Sequence, residues 1–308
     1  MVGRYIWSMT FDVPPEWLQS RREWFGKDDF DEWLEQARIQ VEYYSQLWNI
    51  HAAKLLPGGA LSLTLACRRK DGSEAVLKIS SPWNPSPKGA ECAALRIWNG
   101  QGAVKLLEAN QQGDVMLLER LLPGGPMDSS MENQKACKQI AQLYTQLEEA
   151  AREAHHHQDQ LPDAIQQAKN HFPLFQQVLE NKGLQRELEP ARLEAFETFV
   201  LDWCQGGTRT VTHGDFQNKN ILLHGDHLIV IDPGPAWGDP LADLAAWALI
   251  FNPRQGVWER AEMLHQLMDL DLPRLKTRIQ IQSIYSFVFH APELRPYYKN
   301  YWLSTDQL

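Results

Sequence analysis

The sequence predicts an α+β chain of two lobes, a small antiparallel sheet leading into a mainly helical body, and three observations carry that expectation. Short β-type runs crowd between residues 51 and 121. Long helical periodicities replace them afterwards, and a Pro-Gly segment, Leu121-Leu122-Pro123-Gly124, stands at the change of texture. With 308 residues, 44% of them hydrophobic, the chain can bury a core in each lobe. The expected division is a helical extension over 1–50, a sheet lobe over 51–121 and a helical lobe over 122–308.

The elements follow in order. Phe30, Trp33, Leu34, Ala37, Val41, Tyr44 and Leu47 recur at helical spacing within Asp28 to Trp48. Trp17, Trp24, Trp33 and Trp48, four of twelve tryptophans, are expected to pack this helix onto the body. Two strands, Leu61 to Ala66 and Ala75 to Ile79, flank the turn Lys70-Asp71-Gly72-Ser73. A helix over Lys88 to Trp98 and strands over Ala103 to Leu107 and Val115 to Leu118 complete the sheet lobe. Helices over Glu132 to Ala151, Leu161 to Leu179 and Pro190 to Cys204 follow. Asn220 to Leu223 and Leu228 to Ile231 read as two strands joined by the tight turn His224-Gly225-Asp226. Asp239 to Phe251 is an apolar helix, and the tail from Arg274 supplies one or two more, rich in aromatic residues.

Composition removes several functional classes. The longest apolar stretch in the C-terminal half, Leu244 to Phe251, is far too short to span a bilayer, and Met1 to Asp12 lacks the pattern of a secretory leader. A cytoplasmic location is the default. Cys67, Cys92, Cys137 and Cys204 form no C-x-x-C pair, which argues against structural zinc and against a disulfide framework. A net charge of -9 disfavours nucleic acid and favours cationic small molecules. No membrane partner is expected, and monomer and homodimer stay open. His155, His156 and His157 invite a metal reading, but adjacent helical residues point in different directions, so a solvated helix end is the better account.

The chemistry concentrates at Val211 to Pro233. His213-Gly214-Asp215 followed by Asn220 has the spacing of a phosphoryl-transfer loop, in which the Asp accepts the proton of a hydroxyl and the Asn holds magnesium. The hairpin would deliver Asp232 back beside Asn220. A carboxylate and an amide oxygen suit Mg²⁺, a hard cation usually bound by one or two carboxylates plus phosphates. His213 and Asp215 are therefore the catalytic candidates, and Asn220 and Asp232 the metal ligands. Asp243, among Leu241, Ala242, Leu244 and Ala245, is expected to be buried and to accept hydrogen bonds from the loop backbone.

Upstream, Lys78 interrupts the apolar run Ala75 to Ile79, which resembles the lysine-bearing strand of kinases. Lys78 is thus the candidate for pairing with the α- and β-phosphates and with a helix glutamate, Glu91. The alternative is a strand lysine whose stem runs to water beside a solvated glutamate. Backbone groups of Glu119, Arg120 and Leu121 could hydrogen-bond an adenine edge. Gly58 and Gly59 could lay N–H groups over phosphates, although the loop fits an ordinary hairpin turn equally well.

With these residues in view, the chain resembles the aminoglycoside phosphotransferase family, within it the streptomycin 6-kinase and hydroxyurea-resistance kinase branch. The resemblance runs from about Ala60 to Phe251, carried by Val76-Leu77-Lys78, Glu91, His213-Gly214-Asp215 with Asn220, and Asp232-Pro233 with Gly238. It implies a protein-kinase-like fold and transfer of the γ-phosphoryl group of ATP, with Mg²⁺, to a hydroxyl of a small molecule. An aminocyclitol antibiotic such as streptomycin is the first substrate expectation, a sugar or amino alcohol the second, and a nucleotide-binding pseudoenzyme the third. Gly214 stands where protein kinases carry Arg, and no activation segment is evident, so phosphorylation-controlled switching is not expected.

Overall fold

The computed structural model describes residues 11–59, 61–153, 160–187 and 190–302. The chain divides into two compact units, one taking in residues up to Cys92 together with Lys105–Arg120, the other Ala93–Val104 together with the chain from Leu121 onward.

The first unit opens with α1 (Pro15–Phe25) and α2 (Lys27–Leu47). Pro15 stands at the start of its helix, where a missing N–H costs nothing. α2 buries Phe30, Leu34, Ala37, Val41 and Ser45, steps of four and three that place them on one face. α3 (Ala90–Trp98) passes from this unit into the second after Cys92, and the strands are β1 (Ile50–Leu55), β2 (Ser62–Arg69), β3 (Glu74–Ser80), β4 (Leu106–Ala109) and β5 (Val115–Glu119). They form one antiparallel sheet in the order β1-β2-β3-β5-β4.

Side chains alternate between the faces of a strand. Leu63, Leu65 and Cys67, then Ala75, Leu77 and Ile79, then Val115 and Leu117 share one buried cluster with Phe11, Ala37 and Val41. The N-terminal helices therefore cover one face of the sheet, and Lys78, out of phase with Leu77 and Ile79, belongs to the other. Trp17, Trp33 and Trp48 pack against this cluster, whereas Trp24 is 68% exposed and meets Phe25 edge-on. Trp83, between β3 and α3, stacks on Phe25 at 4.5 Å and touches Phe30 and Trp33.

Two strand expectations change. β1 has no clean alternation in the sequence, and its pairing with β2 slips in register between Ala52 and Lys54. The run Ala103 to Leu107 is two pieces. Ala103 bridges to Val230 and Val104 N–H donates to Val230 O within the second unit, while β4 starts only at Leu106.

The second unit contains β6 (Pro123–Pro126), α4 (Asn133–Glu153), α5 (Ala164–Asn181), α6 (Pro190–Gln205), β7 (Thr210–Thr212), β8 (Ile221–His224), β9 (His227–Val230) and β10 (Ala236–Gly238). After them come α7 (Leu241–Ile250), α8 (Val257–Met268), α9 (Leu272–Phe289) and α10 (Arg295–Lys299). Asp163 caps α5 through Ile165 N–H, and Asp271 caps α9 through Arg274 N–H. α7 is the central helix, buried at Leu241, Asp243, Leu244, Ala245, Trp247, Ala248 and Leu249, and it packs against both α8 and α9. Two small sheets, β6-β8-β9 and β7-β10, sit beside this helical body.

Among the described residues no helix is long and apolar enough to cross a membrane. Cys67, Cys92 and Cys137 are buried thiols, and Cys204 is partly so. The three consecutive histidines lie outside the described residues. Among those described, no group of three or more His, Cys, Asp or Glu could hold a metal ion.

Candidate active site

β7 delivers His213, and the loop that follows turns at Gly214, where φ is 77° and a Cβ would run into the carbonyl oxygen of Gly234. Only glycine fits that approach, and Gly234 N–H donates back to His213 O at 2.9 Å. Phe216 anchors the loop, fully buried and edge-on to Tyr144 at 5.3 Å. A single 3₁₀ turn over Asn218–Asn220 then leads into β8.

The hairpin of β8 and β9 pairs His224 with His227 and Ile221 with Val230. One step beyond, Ile231 N–H donates to Asn220 O at 2.9 Å, so Asp232 returns next to Asn220 as the spacing implied. Asp232 has φ 55°, a left-handed conformation that is uncommon outside glycine and that aspartate tolerates.

The Asp215 carboxylate is 40% exposed. Asn220 Nδ2 donates to its Oδ2 at 2.7 Å, and Lys219 Nζ lies 3.1 Å from the same oxygen. Gln217 Nε2 donates to the other oxygen, Oδ1. Because the Asn220 nitrogen is spent on Asp215, its amide oxygen is the atom left for a cation. That oxygen and the Asp232 carboxylate form a hard, two-residue donor set, which fits Mg²⁺ completed by phosphate and water.

His213 is buried behind the loop. Its Nδ1 accepts from Asp215 N–H at 3.3 Å, which leaves Nε2 to donate to Ile231 O at 2.9 Å. Burial holds its pKa below the usual imidazole value. The ring thus ties the Asp215 segment to the Asp232 segment from inside, so it positions both.

Asp243 fulfils the expectation of a buried carboxylate serving the loop backbone. It accepts from His213 N–H at 2.5 Å, Gly214 N–H at 2.8 Å and Tyr144 Oη at 2.9 Å. Burial raises both its pKa and that of the Tyr144 phenol. Tyr144, Gln217 and Lys219 were not singled out from the sequence. Gln217 and Lys219 were within reach of a closer reading, being two and four residues after Asp215. Tyr144 lies 99 residues from Asp243 and carried no local signal.

In the first unit Lys78 Nζ donates to Glu91 Oε1 at 2.6 Å and Oε2 at 2.7 Å, with both side chains buried. This decides for the ion pair over the solvated alternative. Gly58 and Gly59, at φ 101° and 59°, lie in the connection between β1 and β2, where a Cβ on Gly59 would sit 3.0 Å from Ser62 O and Thr64 Oγ1. Glu119 spends both its N–H and its carboxylate on the Lys105 backbone, so its N–H is not left for a ligand. Arg120 Nη1 is buried with no hydrogen-bond partner among the described residues. Leu121, in the second unit, is buried.

A family model described as aminoglycoside/hydroxyurea antibiotic resistance kinase matches residues 47–289. The match reaches beyond Phe251 to the end of α9, which the sequence alone had left unplaced. A streptomycin 6-kinase of Streptomyces glaucescens is 26% identical over 283 residues, 87% of this chain and 87% of its own. A hydroxyurea phosphotransferase of Kitasatospora aureofaciens is 28% identical over 272 residues, 86% of this chain and 76% of its own. Among solved structures, an ethanolamine kinase of Plasmodium vivax is similar in fold, with a TM-score of 0.60 at 13% identity, covering 94% of this chain and 93% of that one.

Proposed function

The chain belongs to the aminoglycoside/hydroxyurea antibiotic resistance kinase family, phosphotransferases of protein-kinase-like fold, and from that premise we propose that it moves the γ-phosphoryl group of magnesium-ATP onto a hydroxyl of a small molecule. The observation that carries this reading is the Asp215 carboxylate held by Asn220 Nδ2 at 2.7 Å, with Asp232 returned beside Asn220 by the hairpin.

In this reading Asp215 orients the acceptor hydroxyl and takes its proton. Gln217 and Lys219 are displaceable partners that hold the carboxylate until an acceptor arrives. Asn220 Oδ1 and the Asp232 carboxylate hold magnesium, which supplies charge to offset the phosphates. Lys78 grips the phosphates, and Glu91 fixes the direction of its ammonium. His213 and Asp243 act through the backbone, setting the loop that presents Asp215. The transition state of such a transfer is loose, so positioning and charge are the main contributions the residues have to make.

Two relatives are streptomycin 6-kinases, so streptomycin is the first acceptor to test. A second reading, a metabolite kinase with a non-cationic acceptor, is favoured by Lys219, whose charge 3.1 Å from the Asp215 carboxylate would repel a polycation. A panel of hydroxylated acceptors incubated with γ-labelled ATP separates the two. The site itself is tested with Asp232→Ala, which should lose the magnesium-dependent part of the thermal shift that ATP produces. An unaltered magnesium dependence would remove Asp232 from the metal site.

A further inference from the structure

Lys219 stands in the single 3₁₀ turn between Asp215 and β8, and its Nζ lies 3.1 Å from Asp215 Oδ2. The root of the side chain is fixed. Buried Phe216 precedes it, buried Asn220 follows it, and Asn220 N–H closes the turn on Gln217 O at 2.8 Å. The tip is free, with 64% of the side chain exposed, so the flexible four-carbon stem can swing while the backbone stays.

Holding Asp215 in place does not account for this ammonium. Asn220 Nδ2 already donates to Oδ2 and Gln217 Nε2 to Oδ1, and an exposed ion pair between residues four apart adds little to stability. Lys219 is also the lasting positive charge at this spot. Among the described residues no other lysine or arginine forms an ion pair with Asp215. His290, at the end of α9, feels the charges of Asp215 and Lys219, but burial first and the Lys219 ammonium second lower its pKa, so its ring is neutral at physiological pH.

Phosphoryl transfer brings a charge problem to the same place. A hydroxyl oxygen within hydrogen-bond reach of the Asp215 carboxylate, about 2.6–3.2 Å, attacks a phosphorus about 3–3.5 Å further on. The equatorial oxygens of the transferring group, over which the charge of a loose transition state is spread, therefore come within a few ångströms of a negative carboxylate. Two anions so close repel each other. A cation rooted beside the carboxylate and free to lean toward the phosphoryl group offsets that repulsion where it arises.

We propose that Lys219 is a catalytic residue: its ammonium leaves Asp215 when the acceptor hydroxyl takes its place and then binds an equatorial oxygen of the transferring phosphoryl group. The inference rests on the phosphotransferase reading and gives one partner of Asp215 a second task within it. The acceptor oxygen bonds to the γ-phosphorus as the bond from that phosphorus to the β–γ bridging oxygen breaks. The electron pair of the broken bond leaves on ADP, the hydroxyl proton passes to Asp215, and Lys219 keeps its own protons throughout.

The test is steady-state turnover of γ-labelled magnesium-ATP by the full chain, with streptomycin, glucose, ethanolamine and water as acceptors, in the parent, Lys219→Ala and Lys219→Arg. On whichever acceptor the parent uses, Lys219→Ala should lower kcat roughly tenfold to a hundredfold while KM for ATP moves less than about twofold, the pattern of an interaction made in the transition state. Lys219→Arg keeps the charge and should keep most of the rate, and ethylammonium added to Lys219→Ala should restore part of it through the exposed gap. Tm should match the parent in both variants, because the ion pair is exposed. An unchanged kcat in Lys219→Ala overturns the proposal. A loss that neither arginine nor ethylammonium restores, or one that follows a fall in Tm, traces to the shape of the loop and overturns it as well. A parent that turns over ATP on none of the four acceptors sinks the phosphotransferase reading and this proposal with it, whereas an active parent equalled by Lys219→Ala sinks this proposal alone.

Discussion

Lys78 meets both oxygens of Glu91 at 2.6 and 2.7 Å with its side chain only 5% exposed, whereas Asp215 keeps 40% of its side chain in reach of water and divides its oxygens among a glutamine, an asparagine and a lysine. The first charge is clamped by one partner in a dry setting. The second is held by several partners, one of them the 64% exposed Lys219, that an incoming molecule could replace. A group that must only keep its direction tolerates a fixed partner. A group that must exchange a solvent contact for a substrate hydroxyl and take its proton does not.

That contrast fixes which experiment should move which quantity. Asp215→Ala is expected to lower kcat by roughly 10² to 10⁴-fold while shifting the urea midpoint little, because Lys219 is exposed and Asn220 keeps its bond to the backbone carbonyl of residue 215. A variant that lost stability in proportion to activity would place Asp215 with the clamped charges. The Lys78 pair should behave in the opposite sense. Lys78→Met alone strands a buried carboxylate and should cost about 3–5 kcal/mol of unfolding free energy, most of which the double change Lys78→Met, Glu91→Leu recovers. Urea unfolding of the two singles and the double decides it, and strictly additive costs would show that the pair is not coupled. Nucleotide binding should stay lost in the double variant even as stability returns.

The exchangeable group around Asp215 was legible in the sequence, and the surroundings of the fixed Lys78 pair only partly. Asp215, Asn220 and Asp232 are set by a short loop and a two-residue hairpin, so their spacing along the chain nearly determines their spacing in space. Lys78 and Glu91, thirteen residues apart, were readable because the run Ala75 to Ile79 resembles the lysine-bearing strand of kinases. The helix that covers the face opposite Lys78 was readable from its periodicity, but the aromatic contact between Phe25 and Trp83 was not, since it joins residues with no common periodicity. β1 escaped because its residues do not alternate, and the 103–107 run misled because one apolar stretch serves two different pairings. The need for glycine at position 214, too, shows only when the Gly234 carbonyl is seen against it.

Tyr144 tests where the boundary between the two regimes lies, for it reaches the loop that carries Asp215 yet is built like the Lys78 pair. Its hydroxyl is buried and supplies one of three hydrogen bonds to Asp243, the other two coming from the backbone of His213 and Gly214. If the loop is a fixed frame under an exchangeable carboxylate, Tyr144→Phe should cost about 1.5–3 kcal/mol, the worth of a hydrogen bond to a charged group. The effect on kcat should stay under about tenfold, since two backbone donors still seat Asp243 and an error in the loop small enough to leave them in place costs little in alignment. Chemical denaturation and steady-state kinetics on the same preparation read both quantities. A large loss of kcat with unchanged stability would mean that Asp243 steers Asp215 during turnover, and the frame would then belong to the moving part of the site.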